Sequence, residues 1–212
     1  MYELEKQQLI DCARNMVTNN LVVLSGGNVS CRISDEVFLV TPSAMRYENM
    51  VQEDIVVINA KGEILEGNRR PSSDLKALLY IYNQRRDLNA IIHTHQPYAT
   101  AVGLITDCLP ACLTSIIDTA NDNVRVAPFT VSSDEGMGIL TVEYLGDSKA
   151  VILCNHGVVC VGGSLEEVLE TAVYLEEGSK AYLAASAAGT VKLLSKEQIM
   201  QEMEDRGNYG QF

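Results

Sequence analysis

Short apolar runs of strand length alternate with longer segments of helical periodicity along most of the chain, and this restricts the fold to layers of helix and sheet. Residues 3–19 carry Leu4, Leu9, Ile10, Ala13, Met16 and Val17 at helical spacing and stop at Asn19-Asn20. Residues 37–41 and 55–59 read as strands, the second closed by the turn Asn59-Ala60-Lys61-Gly62. A helix over 74–86 opens behind Ser72-Ser73, residue types that cap helix N-termini. Residues 89–95 form the next expected strand, followed by a helix from Pro97 to Leu104. Strands are expected at 123–128 and 150–154, with a helix around 138–145 between them. Ser164-Leu165-Glu166-Glu167 is a capping box that opens a helix running to Ala188, and a last helix spans 195–205. No repeat, low-complexity tract or Pro/Gly/Ser linker divides the sequence. Residues 1–212 are expected to form one domain of α/β or α+β class.

Composition excludes several functions. The chain lacks any run of roughly 18 apolar residues, so no membrane span is expected. Its N-terminus, MYELEKQQLIDCARNMV, lacks the basic start and apolar block of a secretory signal, which makes the cytoplasm the default location. A formal net charge of −12 argues against a nucleic-acid partner, because phosphate backbones require a basic footprint. Any anionic substrate must then be drawn in locally, by a metal ion or by backbone amides. The six cysteines, Cys12, Cys31, Cys108, Cys112, Cys154 and Cys160, form no Cys-x-x-Cys. Most lie in apolar runs, where a reduced thiol behaves as a small hydrophobe.

The chain has three histidines, His93, His95 and His156. The first two are two residues apart in an expected strand, so both imidazoles leave the same face. His156 follows the apolar run Val151-Ile152-Leu153-Cys154 and precedes Gly157, at a strand end beside a tight turn. Three neutral imidazoles bind a divalent ion and leave a position open for substrate. The competing reading makes them two edge-strand residues and one turn residue. Their concentration at strand ends, with none on the surface helices, favours the metal site.

Asp74 has two readings as well. It supplies favourable negative charge at a helix N-terminus, or it acts as a fourth metal ligand or a base beside a metal-polarised carbonyl. Three polar segments could cradle an oxyanion: Gly26-Gly27-Asn28-Val29-Ser30, Thr41-Pro42-Ser43-Ala44 and Ser72-Ser73. Gly27 permits close backbone approach, while Asn28, Ser43, Ser72 and Ser73 offer donors. Each segment alone is more often a plain turn. Together they suit an anion site built without lysine.

Taken together, GGNVS at 26–30, TPSA at 41–44, PSSD at 71–74, HTH at 93–95, NHG at 155–157 and YGQ at 209–211 resemble the class II aldolase/adducin family. The motifs fall in the family's order and cover nearly the whole chain. The resemblance implies a three-layer α/β/α fold with a largely antiparallel central sheet. It implies a homotetramer with active sites at subunit interfaces, and Zn2+, or another divalent ion such as Mn2+ or Co2+, on His93, His95 and His156. The phosphate of a small sugar substrate would bind at Gly27, Asn28, Ser43, Ala44, Ser72 and Ser73, with Ala44 standing where glycine is usual. Asp74, as ligand or base, Asp118 and Tyr209 would serve catalysis.

The resemblance leaves the outcome open between two reactions. The aldolase branch carries glutamate at position 74 and the 4-epimerase branch carries aspartate there, with a further acid where Asp118 falls. Against the epimerase, Thr41 replaces that branch's lysine, and the sequence around Asp118 lacks its His-Ala-Asp-Tyr block. Thr114 stands where the aldolase usually has tyrosine. Tyr209, read on its own, is a tail residue. Retro-aldol cleavage of a phosphorylated ketose is expected first, epimerisation second, and a non-catalytic adducin-like binding domain third.

Overall fold

The computed structural model describes residues 1–132 and 134–205. Nine strands form one sheet: β1 (Asn28–Ser34), β2 (Val37–Val40), β3 (Val56–Asn59), β4 (Ile64–Glu66), β5 (Ala90–Thr94), β6 (Cys108–Leu109), β7 (Val124–Ala127), β8 (Ala150–Leu153) and β9 (Gly157–Gly162). Their spatial order is β4-β3-β2-β1-β5-β9-β8-β7-β6. Of the described pairs only β7 and β8 run parallel, so the expected largely antiparallel sheet is found. Seven α-helices flank it: α1 (Glu3–Thr18), α2 (Leu75–Gln84), α3 (Pro97–Val102), α4 (Thr114–Ala120), α5 (Glu135–Leu145), α6 (Leu165–Ala188) and α7 (Lys196–Asp205).

Strand alternation explains the layers. Val57, Ile92, Ile152 and Val158 point to one face, where Leu9, Ile10, Val102, Ile116, Ala172 and Leu175 of α1, α3, α4 and α6 cover them. Their neighbours Val56, Ile58, Ile91, Val151, Leu153 and Val159 point to the other, where Leu78, Ile81 and Met137 of α2 and α5 cover them. Both faces of the central strands are therefore dry, which is why β5, β8 and β9 are buried at every position. Burial of these side chains contributes roughly 1.5–3 kcal/mol each.

Two local expectations need correction. Ser72 and Ser73 do not cap α2. Asp74 holds the N-cap position and makes no side-chain capping bond, while Ser72 Oγ accepts from the Asp74 N–H at 3.3 Å. The Asp74 carboxylate is turned away from the helix toward Asn28, which explains the missing cap. At α6, Ser164 Oγ accepts from the Glu167 N–H at 3.1 Å as expected. The reciprocal bond runs from the Gly163 N–H to Glu167 Oε2 at 2.7 Å, one residue upstream of the usual partner.

The six cysteines are free, with Cys12, Cys31 and Cys160 buried and the other three half-buried. Burial pushes the Cys12 and Cys31 thiols up to about 12, as inert core groups should behave. No helix among the described residues is long and apolar enough to cross a membrane.

Candidate active site

His93 lies inside β5, paired with Asn28 of β1 on one side and Val159 of β9 on the other. Held in the ladder from both sides, it is 1% exposed. Its ring Nδ1 is 2.9 Å from the Val158 carbonyl, which fixes the proton on Nδ1 and leaves the Nε2 lone pair pointing out. His95 sits one residue past the strand end, on the same face and more exposed. His156 closes the three-residue turn between β8 and β9, in which Asn155 takes a left-handed conformation at φ 58°.

These placements bring three Nε2 atoms together. His93 Nε2 is 3.1 Å from His95 Nε2 and 3.2 Å from His156 Nε2. Ligand nitrogens held 2.0–2.1 Å from a tetrahedral ion lie about 3.3 Å apart, so the spacing fits one divalent ion at their centre. The chemistry of the donors fits too, since a metal ligand must be neutral imidazole. Burial, then its His95 and His156 neighbours, lower the His93 pKa to about 3. Burial and then His156 lower that of His95, with Asp74 opposing. Burial lowers His156, with Asp74 again opposing.

Asn28 faces His93 across the ladder, so its side chain emerges on the same side of the sheet, where α2 begins. Its Nδ2 donates to Asp74 Oδ2 at 2.7 Å, and both residues are buried. The ligand atoms that converge within 4.8 Å of one another are those of the three histidines, and Asp74 lines the same cleft. Asn28 Oδ1 has no hydrogen-bond partner among the described residues.

A cleft of about 480 Å³ opens over the imidazoles, with Gly26, Gly27, Ser43, Ala44, Ser72 and Ser73 in its walls together with Asp74. Gly27 adopts φ 73°, and a Cβ there would run into the His93 carbonyl, so only glycine lets this loop approach the strand. Ser43 and Ser73 are exposed to the cleft, whereas Ser72 is buried. Ala44 also has a positive φ, 56°.

Most of the expected site residues thus meet in one place. Asp118 does not line the cleft; it lies half-buried on α4, which packs against α6 and α7. Tyr209 lies outside the described residues. Sequence reasoning missed Phe129, Thr130 and Val131, which line the rim beside Asn155 of the NHG motif. Their one signal was position, in loops that follow strand ends. It also missed Tyr47, whose hydroxyl donates to the Gly27 carbonyl at 2.8 Å and lies 3.1 Å from that of Gly26, holding the glycine loop in shape.

Comparison with known proteins agrees with this geometry. Residues 7–183 match the family model described as the class II aldolase and adducin N-terminal domain. The chain belongs to the class II aldolase/adducin family. Within the family it is 30% identical over 208 residues to the 5-deoxy-D-ribulose 1-phosphate aldolase of Bacillus thuringiensis serovar kurstaki, covering 98% of this chain and 97% of that relative. It is also 30% identical over 205 residues to the L-fuculose phosphate aldolase of Escherichia coli strain K12, covering 96% and 94%. A solved L-fuculose 1-phosphate aldolase superposes with a TM-score of 0.90 at 30% identity, covering 95% of each chain. The mixed, mostly antiparallel nine-stranded sheet is that of the class II aldolases.

Proposed function

We propose that this protein is a divalent-metal aldolase that cleaves a small ketose 1-phosphate by a retro-aldol reaction into dihydroxyacetone phosphate and an aldehyde. The observation that carries the reading is the convergence of three imidazole Nε2 atoms beside a buried carboxylate, in a cleft walled by serines and a glycine loop. Relatives that act on 5-deoxyribulose 1-phosphate and fuculose phosphate support the substrate class. His93, His95 and His156 would hold the ion, zinc first and Mn2+ or Co2+ as alternatives. A bound divalent ion supplies Lewis-acid polarisation of the substrate carbonyl.

The protein's own groups do the rest. Ser43, Ser73 and the amides around Gly27 take the phosphate, with Ala44 and the buried Ser72 shaping its cradle. Asn28 holds Asp74 Oδ2, while Oδ1, with Ser73 Oγ 3.4 Å away, would face the reacting carbon. As the carbon–carbon bond breaks, the hydroxyl of the departing carbon gives up its proton to Asp74 and becomes the aldehyde carbonyl, and the bond's electron pair passes to the carbon beside the ketone carbonyl. Asp74 then returns that proton to this carbon to complete the donor product. We assign Asp118 and Tyr209 to a site completed by a neighbouring subunit, in a homotetramer of the kind the family resemblance implies. A cytoplasmic role in carbohydrate metabolism is consistent with this reading.

Aspartate at position 74 and the acid at position 118 favour one second reading, a pentulose-phosphate 4-epimerase in which the bond re-forms before release. A screen of ketose 1-phosphates and pentulose 5-phosphates with metal-loaded protein separates the two. Aldehyde and dihydroxyacetone phosphate released from a ketose 1-phosphate are expected. Epimer without free aldehyde would select the second reading. No cleavage, together with no exchange of the donor's α-proton in deuterated water, would remove the aldolase.

A further inference from the structure

The His95 imidazole completes the cluster, but its main chain lies beyond the last residue of β5 and is not held by the ladder on both sides as His93 is. Its N–H donates to the Leu21 carbonyl at 3.1 Å. What fixes the chain immediately after it is a set of hydrogen bonds, three of which end on α6. Gln96 is fully buried; its Oε1 accepts from Thr94 Oγ1 at 2.7 Å, and its Nε2 donates to the Ala172 carbonyl of α6 at 3.2 Å. At the next residue, Pro97, α3 begins, and its first amides have no partners within the helix. Glu176 of α6 takes them, accepting from the Tyr98 N–H at 2.9 Å with one oxygen and from the Ala99 N–H at 3.0 Å with the other.

This arrangement is costly for a helix cap. Glu176 is 7% exposed, and among the described residues no cation lies within ion-pair distance of it. Burial raises its pKa, and the two N–H bonds oppose that rise. Simple capping of a six-residue helix needs only a local Ser, Thr or Asp at position 96, at far lower desolvation cost. A carboxylate reaching in from a helix almost eighty residues later in sequence does something a local cap cannot. It ties the Thr94–Ala99 segment to the 24-residue α6, and the only exposed imidazole of the cluster lies within that segment.

We propose that Glu176, with Gln96 and Thr94, is a positioning element that fixes the main chain around His95 so that its Nε2 reaches the common centre defined by His93 and His156. The inference rests on the reading of the three histidines as a metal site. Without the clamp, His93 stays in place through the sheet and the Val158 carbonyl, while His95 gains freedom. Loss of Glu176 therefore lowers metal affinity and distorts the coordination sphere, beyond any general loss of stability.

Co2+ titration of metal-free protein, followed by its visible absorption bands and by equilibrium dialysis, tests this. Glu176→Gln keeps the shape but presents an NH2 group to one of the two N–H donors. It should raise the Co2+ dissociation constant about tenfold or more and change the band pattern, as loss of groups supporting a metal ligand does. Thr94→Val, which frees Gln96 with less disruption, should shift both measurements in the same direction by less. Leu9→Ala, a cavity in the α1 core, should lower the unfolding midpoint yet leave Co2+ affinity and spectrum unchanged. If Glu176→Gln is destabilised like Leu9→Ala but binds Co2+ with the wild-type constant and spectrum, the clamp is only structural and the inference fails. If that variant does not fold, wild-type Co2+ binding by Thr94→Val overturns it instead. Wild-type protein that takes up no Co2+ would overturn the metal reading itself, and the positioning role with it.

Discussion

Ala44 holds φ 56° in the loop that faces the imidazoles, a conformation that costs an L-residue about 1–2 kcal/mol relative to glycine. The family resemblance places a glycine there, and the backbone has kept the glycine conformation while carrying a methyl group. Ala44→Gly relieves the clash but adds freedom to the unfolded chain, which offsets about 0.5–1 kcal/mol of the gain. The variant should be more stable by about 0.5–1 kcal/mol in urea unfolding; a loss of stability would show that the methyl group packs usefully. At this scale the sequence was informative where a residue type is rare in the chain or stands at a telling position. Three histidines, and an aspartate at the start of a helix, led directly to the cluster and its neighbouring carboxylate. Tyr47 and Glu176 were not legible, because each acts through contacts with segments distant in sequence, and their residue types are common for other reasons.

The elements divide along similar lines. Helices α1, α2, α6 and α7 and strands β2, β3, β5, β7 and β8 show clear periodicity or compact apolar runs, and they lie where the pattern puts them to within a few residues. β1, β9 and α4 were hidden. β1 reads Asn28-Val29-Ser30-Cys31-Arg32-Ile33-Ser34, polar at alternate positions, yet Asn28 and Ser30 are buried and Arg32 half-buried, each with partners on α2 and its flanks: Asn28 with Asp74, Ser30 with Tyr82, and Arg32 with the Tyr82 and Leu88 carbonyls. β9 is bounded by Gly157 and Gly162, so glycine read as a turn obscured a fully buried strand. The contact between α2 and α5 on the cleft side of the sheet depends on a small residue that periodicity alone does not flag. A Cβ on Gly138 would lie 2.6 Å from the Ala77 carbonyl oxygen and 2.9 Å from its Cα, and both obstacles are backbone. Gly138→Ala gains helix propensity of about 1 kcal/mol but must push two helices apart, an overpacking cost of about 1–3 kcal/mol or more. A net loss of about 1–2 kcal/mol in chemical unfolding is expected. An unchanged or raised midpoint would mean that α5 can slide without cost, leaving Asp74 at the head of α2 less firmly held than the packing implies.

Across the whole molecule, the three imidazoles join separate parts of one sheet. His93 and His95 lie in and just beyond β5, and His156 lies in the turn joining β8 to β9, so an ion at their centre cross-links residues some sixty positions apart. The unfolded chain cannot reproduce that arrangement, and a ligand that binds only the folded state stabilises it by mass action. At a free ion concentration about a hundred times the dissociation constant, the gain is about 2.7 kcal/mol. For a chain of this size each kcal/mol moves the unfolding midpoint by roughly 2–4 °C. Chelator-treated protein should therefore melt roughly 5–10 °C below the same protein with saturating Zn2+ or Co2+. His156→Ala removes a ligand from the β8–β9 turn without touching β5, and should melt at one temperature with or without the ion. Identical midpoints for chelated and metal-saturated wild type would mean that the histidines do not form one site. A metal-dependent shift that persists in His156→Ala would place the ion elsewhere on the molecule. The expected pair of results would tie the site to the fold: the hydrogen-bonded strands that bury His93 at the centre of the sheet also set the spacing at which three neutral imidazoles can share an ion.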